Sequence, residues 1–189
     1  MIKLTKMLFA LSLLVLVTAC GGDDDGPSTN DLLGTWVVVS FDGDIESTTT
    51  FDGTTTTSEV AILGSNLDYR VTFTETAWTT AGGYDVTNTT SVNGMPPATL
   101  TSSNTNVSGS GTYSINGNVM TIDGSFFEFE TNGVPTAGTN GPEMADFEIN
   151  SNGQLVLSQD KTIESNQSGV VSTTTIKTTS VWRKENKKI

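Results

Sequence analysis

The sequence predicts an all-β chain, an antiparallel up-and-down β-barrel of about eight to ten strands. Three observations carry that expectation. Threonine, serine, glycine and asparagine dominate the body, with Val, Ile and aromatic residues set among them. Threonine and valine suit pleated strands, while glycine and asparagine suit turns. Turn pairs recur between runs that alternate apolar and polar residues, and no segment after residue 30 keeps a helical period.

The strands follow in order. TWVVVSF (35–41) begins the first, and Asp42-Gly43 offers the first tight turn. A second turn is expected at Asp52-Gly53, between STTTF and TTTTSEVAI. LDYRVTFTET (67–76) puts Tyr69, Val71 and Phe73 on one face and Arg70, Thr72 and Thr74 on the other. AWTTAGGYDVTNTTSV leads through NGMPP, a proline-bearing turn, into ATLTSSNTNV. In GTYSINGNVMTI a two-residue Asn116-Gly117 turn pairs Ile115 with Asn118, Tyr113 with Met120 and Gly111 with Ile122. Tyr113, Ile115, Met120 and Ile122 then share a face.

SFFEFE (125–130) reads as a further strand with Phe127 and Phe129 inward, and TNGVPTAGTNGPE (131–143) as a loop that caps a barrel mouth. In DFEINSNGQLVLS a three-residue loop, Ser151-Asn152-Gly153, pairs Ile149 with Leu155 and Phe147 with Leu157. Slipping by one residue would turn these core side chains to water. VVSTTTIKTTSVWRKE supplies the last strand. The threonine runs at 48–50, 54–57 and 173–175 read as solvent faces, because the apolar positions around them keep strand spacing.

Residues 1–19 read as a cleaved signal helix. Lys3 and Lys6 supply a positive start, the run from Met7 to Val17 is apolar, and Thr18 and Ala19 are small. The run falls short of the ~20 residues that span a bilayer as a helix. VTAC, Val17 to Cys20, resembles the bacterial lipobox. That resemblance implies acylation of the Cys20 thiol with palmitate-type chains, cleavage before Cys20, and a further chain on the new amino terminus. Each buried methylene contributes roughly 0.8 kcal/mol, so two or three chains anchor where one binds only reversibly.

Residues 20–30 form the lipidated cysteine and an acidic flexible tether, since GGDDDGPSTN has nothing apolar to bury. Asp23, Asp24 and Asp25 resemble the surface-export signal of lipoproteins in some Gram-negative groups; a flexible acidic spacer is the other reading. The expected location is the outer membrane, lipid-anchored, with exposure at the cell surface.

Composition excludes several classes of function. Without residues 1–19, which hold two lysines and no acid, seven basic and twenty-one acidic residues remain, a formal net charge of −14. Four of those seven basic residues (Arg183, Lys184, Lys187, Lys188) lie in the last seven positions. Nucleic acid, which needs Lys and Arg to displace condensed counterions, is excluded as a partner. One cysteine allows no disulfide within the chain. The absence of histidine removes the commonest general base and zinc ligand.

At LLGTW (32–36), GTYSINGNVMTI (111–122) and SVWRK (180–184) the chain resembles the lipocalin-like domains of bacterial lipoproteins, over residues 31–185 and short of the basic tail at 186–189. The resemblance implies an eight-stranded barrel closed at one end by Trp36, with Arg183 packed across it and Gly34 allowing close backbone approach. A guanidinium over an indole face contributes about 0.5–2 kcal/mol. The C-terminal helix of many animal lipocalins has no counterpart here.

Tyr69, Val71, Phe73, Tyr113, Phe127 and Phe129 are the candidate ligand-lining residues. An eight-stranded barrel either fills itself with side chains or holds one small ligand. The first expectation is therefore binding of a small apolar or amphipathic ligand at the envelope. The alternative is a filled barrel serving as scaffold, with loops 80–97 and 131–143 contacting a protein or glycan partner. Asp42, Asp44 and Glu46 lack the glycine and the terminal glutamate of a calcium loop and read as solvated carboxylates at a hairpin turn. Glu128 and Glu130 alternate with Phe127 and Phe129, and paired carboxylates need a fixed separation to hydrolyse a glycoside. No enzyme activity, metal site or cofactor is expected.

Overall fold

The structure is a computed structural model that describes residues 27–93, 95–127, 130–131, 134–135 and 142–185. The signal segment, Cys20, Asp23 to Asp25, Glu128, Phe129 and the basic tail lie outside the described residues.

One short helix, α1 (Thr29–Leu32), precedes ten strands: β1 (Gly34–Phe51), β2 (Thr54–Phe73), β3 (Ala77–Val92), β4 (Ala98–Asn116), β5 (Val119–Ile122), β6 (Glu130–Thr131), β7 (Val134–Pro135), β8 (Glu143–Ile149), β9 (Gln154–Gln167) and β10 (Val170–Lys184). Eight of them close a barrel in the order β1-β10-β9-β8-β5-β4-β3-β2, with every pairing antiparallel. β6 and β7 pair with each other alone. The predicted all-β, up-and-down barrel is the fold observed.

Strand length divides the molecule. β5 and β8 have 4 and 7 residues, whereas β1 to β4, β9 and β10 have 14 to 20. The wall is therefore complete only at the proximal end, which also holds α1, the turns after β2, β4 and β8, and the end of β10. Beyond it the six long strands continue as an open sheet, the distal ribbon, in the order β4-β3-β2-β1-β10-β9. A row of register shifts marks the border: Val38/Ser40 against β10, Val37/Asp42 against β2, Ser65/Asp68 against β3 and Gly82/Tyr84 against β4. Bulges bend a strand and increase its twist. Aligned across neighbouring strands, they separate the closed wall from the ribbon.

Asp52-Gly53 is the β1–β2 turn, with φ of 48° and 74°, as a two-residue hairpin turn requires. Phe147 pairs with Leu157 and Ile149 with Leu155, as read from the sequence. Asp42-Gly43 is not a turn. β1 runs straight through it, because the β10 backbone passes so close that a Cβ on Gly43 would lie 2.9 Å from the Lys177 carbonyl oxygen. Glycine serves there for close approach, and Asp42, Asp44 and Glu46 line the exposed outer face of β1 rather than a hairpin tip.

The β4–β5 turn is Gly117-Asn118 rather than Asn116-Gly117. Tyr113 pairs with Ile122 and Ile115 with Met120, setting apolar side chains across from each other where the expected register set Ile115 against Asn118. The correction amounts to two positions, so Tyr113, Ile115, Met120 and Ile122 keep a common face. The tether gains structure before residue 30: the Ser28 amide and hydroxyl both donate to the Asp31 carboxylate, at 2.9 and 2.7 Å, starting α1 and burying Leu32. Residues 125–127 form no strand; they bend instead.

Candidate functional site: the barrel interior and a groove in its wall

Alternation aims one side of each barrel strand inward, and on this chain that side is aromatic. β2 contributes Tyr69, Val71 and Phe73; β3, Trp78 and Tyr84; β1, Trp36 and Phe41; β4, Tyr113; β10, Trp182. All are buried. Between β5 and β6 the chain turns into the barrel, and Phe126 and Phe127 enter this set together. The Phe127 ring centroid lies 4.4 Å from Phe41, 5.4 Å from Trp182 and 5.5 Å from both Tyr69 and Tyr84. Phe126 stands edge-on to Trp78 at 5.0 Å and to Phe73 at 5.7 Å. Offset and edge-to-face pairs at such separations contribute about 0.5–1.5 kcal/mol each beyond area burial.

The polar ends of these rings are satisfied within the wall. The Tyr69 hydroxyl donates to the Phe126 carbonyl, Tyr113 to the Thr74 carbonyl at 2.6 Å, Trp36 Nε1 to the Leu32 carbonyl at 2.7 Å and Trp182 Nε1 to Ser180 Oγ at 2.8 Å. Burial, and secondarily the charge of Glu75, raises the Tyr113 pKa above its ordinary value and keeps the phenol neutral. Tyr69, Val71, Phe73, Tyr113 and Phe127 are thus brought together as expected, but they pack on one another. Phe129 lies outside the described residues.

Trp36 sits at the proximal end, fully buried beneath α1. The cation over its ring is Lys184, whose Nζ lies 5.1 Å from the centroid and donates to the Asp31 carbonyl at 2.9 Å. Arg183 is exposed and pairs across from Val37. The expected Arg183–Trp36 stack is therefore corrected to Lys184, for a simple reason. Trp182 points inward, and on a strand the residue two positions on shares its face while the next one does not. The close backbone approach expected at Gly34 is corrected as well: only the Lys184 stem lies near the place of a Cβ, and the φ of 115° is what calls for glycine. Ser28 hydrogen bonds chiefly, with Lys184 adding attraction, hold the Asp31 carboxyl below its usual range.

The outer wall carries a groove of about 620 Å³ at the bulge row, lined by Asn66, Asp68, Gly82, Gly83, Asn104 and Asn106 among others. Asn66, Gly82 and Asn106 have positive φ, at 49°, 126° and 56°. Gly82 is obligatory, since a Cβ there would collide with the Asp68 carbonyl. Asn66 donates to Asp85, and hydrogen bonds from Ser103 and then Asn66 lower the Asp85 pKa. The groove is shallow and open, and its lining sets the carboxamides of Asn66, Asn104 and Asn106 and the carboxylates of Asp68 and Asp85 among apolar surface from Ala81, Tyr84 and Val107. Among the described residues no three side chains converge in the way a metal ion needs.

No known protein family, curated protein or solved structure matches this chain.

Sequence reading missed Phe126, because strict alternation across SFFEFE turned it outward. It also missed Phe41, Trp78 and Tyr84 as core members and Lys184 as the partner of Trp36. Counting by twos from Trp182 would have found Lys184.

Proposed function

We propose that this chain is an envelope lipoprotein, anchored through acylated Cys20, whose lipocalin-like barrel is a filled scaffold for a polar recognition surface. One observation carries the choice of scaffold over hollow carrier: Phe126 and Phe127 occupy the middle of the barrel, with Phe127 in ring contact with β1, β2, β3 and β10. A small apolar ligand would have to displace buried rings already in contact with one another. The wall groove offers the amides of Asn66, Asn104 and Asn106 and the carboxylate of Asp68, groups that can hydrogen-bond the hydroxyls of a glycan.

The proposed anchor agrees with the polarity of the fold. Seven residues lie between Cys20 and Ser28, so the eight steps reach at most roughly 28 Å, and α1 lies at the proximal end. The closed barrel would then face the membrane while the ribbon extends away from it.

Two measurements test this reading. A fluorescent fatty-acid probe is expected to show no saturable binding, and micromolar binding abolished by Phe127→Arg would restore the carrier reading. On a glycan array, binding is expected and is lost with Asp68→Ala and Asn104→Ala; an array without signal removes the glycan assignment. For the anchor, Cys20→Ser is expected to end labelling by radioactive palmitate, and normal labelling would refute lipidation.

A further inference from the structure

Among the described residues the ribbon ends in two unpaired edges, and they differ. Among the described residues the distal part of β9, residues 159–167, pairs only with β10, and the distal part of β4, residues 98–108, pairs only with β3. Unpaired edges recruit other strands unless charge, proline or a bulge blunts them. β9 is blunted by Asp160, Lys161 and Glu164. β4 is not: no charged residue lies between Asp85 and Asp123, and Leu100 stands 61 % exposed on that strand. Pro96-Pro97 precede the edge and the positive-φ Asn106 ends its regular part, leaving residues 98–105 open on that side.

We propose that this edge of β4 pairs antiparallel with the same edge of a second copy, joining two six-stranded ribbons into one sheet. Three features select a copy of this chain as the occupant. The first is charge. The chain carries −12 overall, so two copies repel through most approaches, and along β4 no charges oppose each other.

The second is chemistry. β4 already engages β3 through hydroxyl pairs, Thr87–Thr101 at 2.9 Å and Thr89–Thr99 at 3.2 Å. A second β4 presents the same Thr/Ser row. The third is symmetry. A two-fold axis normal to the sheet keeps the inner face of both copies on one side only if it passes through a residue, and the centre of 98–105 places it on Thr101 or Ser102. Leu100 then faces Ser102 or Asn104 of the copy and loses its exposure. The two closed barrels lie at opposite ends of the pair. Asn104 belongs both to this edge and to the wall groove, but the pairing does not rest on what the groove binds.

Sedimentation of the full chain in detergent tests it. A dimer is expected, weakened about tenfold or more by Leu100→Lys, which sets charge against the edge. Oxidation should yield a disulfide-linked dimer from Thr101→Cys or Ser102→Cys and none from Glu164→Cys on β9, with the parent chain, bearing Cys20 alone, as background. A parent chain that stays monomeric at roughly 100 µM overturns the proposal even if a variant misfolds. So does a dimer indifferent to Leu100→Lys, or cross-linking through Glu164→Cys alone.

Discussion

The barrel and the ribbon are made by the same strands, yet different forces hold them. In the barrel, Trp36, Trp78, Trp182, Tyr69, Phe73 and Phe147 are almost wholly removed from water. In the ribbon the inner face has a narrow aliphatic stripe, with Ile45 between Val60 and Ile176, and the outer face is a threonine ladder. Hydroxyl pairs such as Thr50–Thr55 at 3.0 Å and Thr162–Thr175 at 3.3 Å cross it. Cross-strand pairs of this kind contribute about 0.2–1 kcal/mol each, against roughly 1.5–3 kcal/mol for a fully buried large apolar side chain. The lesson is that backbone pairing and hydroxyl ladders extend a sheet well past its core, with each added residue contributing less.

The sharpest way to break this comparison is to remove one side chain from each half. Phe127→Ala should cost about 3–5 kcal/mol in urea unfolding, the range for a large aromatic lost from a filled core. Ile176→Ala, half-buried in the ribbon, should cost about 1 kcal/mol. Equal losses would show that the ribbon has a core of its own.

The border can be attacked directly. Gly82→Ala forces a side chain into a positive-φ position against the Asp68 carbonyl, and should cost about 2–3 kcal/mol with loss of the β2–β3–β4 register. An unchanged melting temperature would mean that the bulge row is dispensable.

Alkaline pH probes the barrel through Tyr113. The Tyr113 pKa is raised in the folded state, so its contribution is full below the ordinary value of 10.0 and is lost as pH climbs through the folded value. The melting temperature should fall above pH 10, and Tyr113→Phe should flatten that fall. A slope identical in the variant would assign the alkaline loss elsewhere.

The smallest effect lies in the ribbon. Glu46 sits directly across from Glu59, a like-charge pair on neighbouring strands. Glu59→Thr should raise stability by about 0.2–1 kcal/mol at low salt and by less at high salt. A loss of stability would mean that the two carboxylates are not opposed in solution.

Legibility in the sequence followed a physical line. The loop at 151–153 could be read because only one register sets Phe147 and Ile149 against Leu157 and Leu155. Tyr69, Val71 and Phe73 could be read because strict alternation has a single interpretation. Asp42-Gly43 could not, because the dipeptide that signals a hairpin also serves where another backbone presses close, and only the position of Lys177 decides between them. The inward dive of Phe126 and Phe127 was illegible for a related reason: side chains of a bend obey no period. The length of the ribbon was hidden too, since threonine runs alternate equally well with or without a core beneath them.

The three distal hairpin tips, at 52–53, 93–97 and 168–169, share one end of the molecule, and the row of bulges lies between them and the aromatic interior. Extra residues spliced into a tip would be absorbed as a longer loop, while the strand pairing beneath stays locked by the bulges. The molecule therefore has a built-in mounting point. An epitope or reporter peptide inserted after Gly53 or Gly169 would ride at the far end of the sheet, leaving the barrel to fold unaware of its cargo.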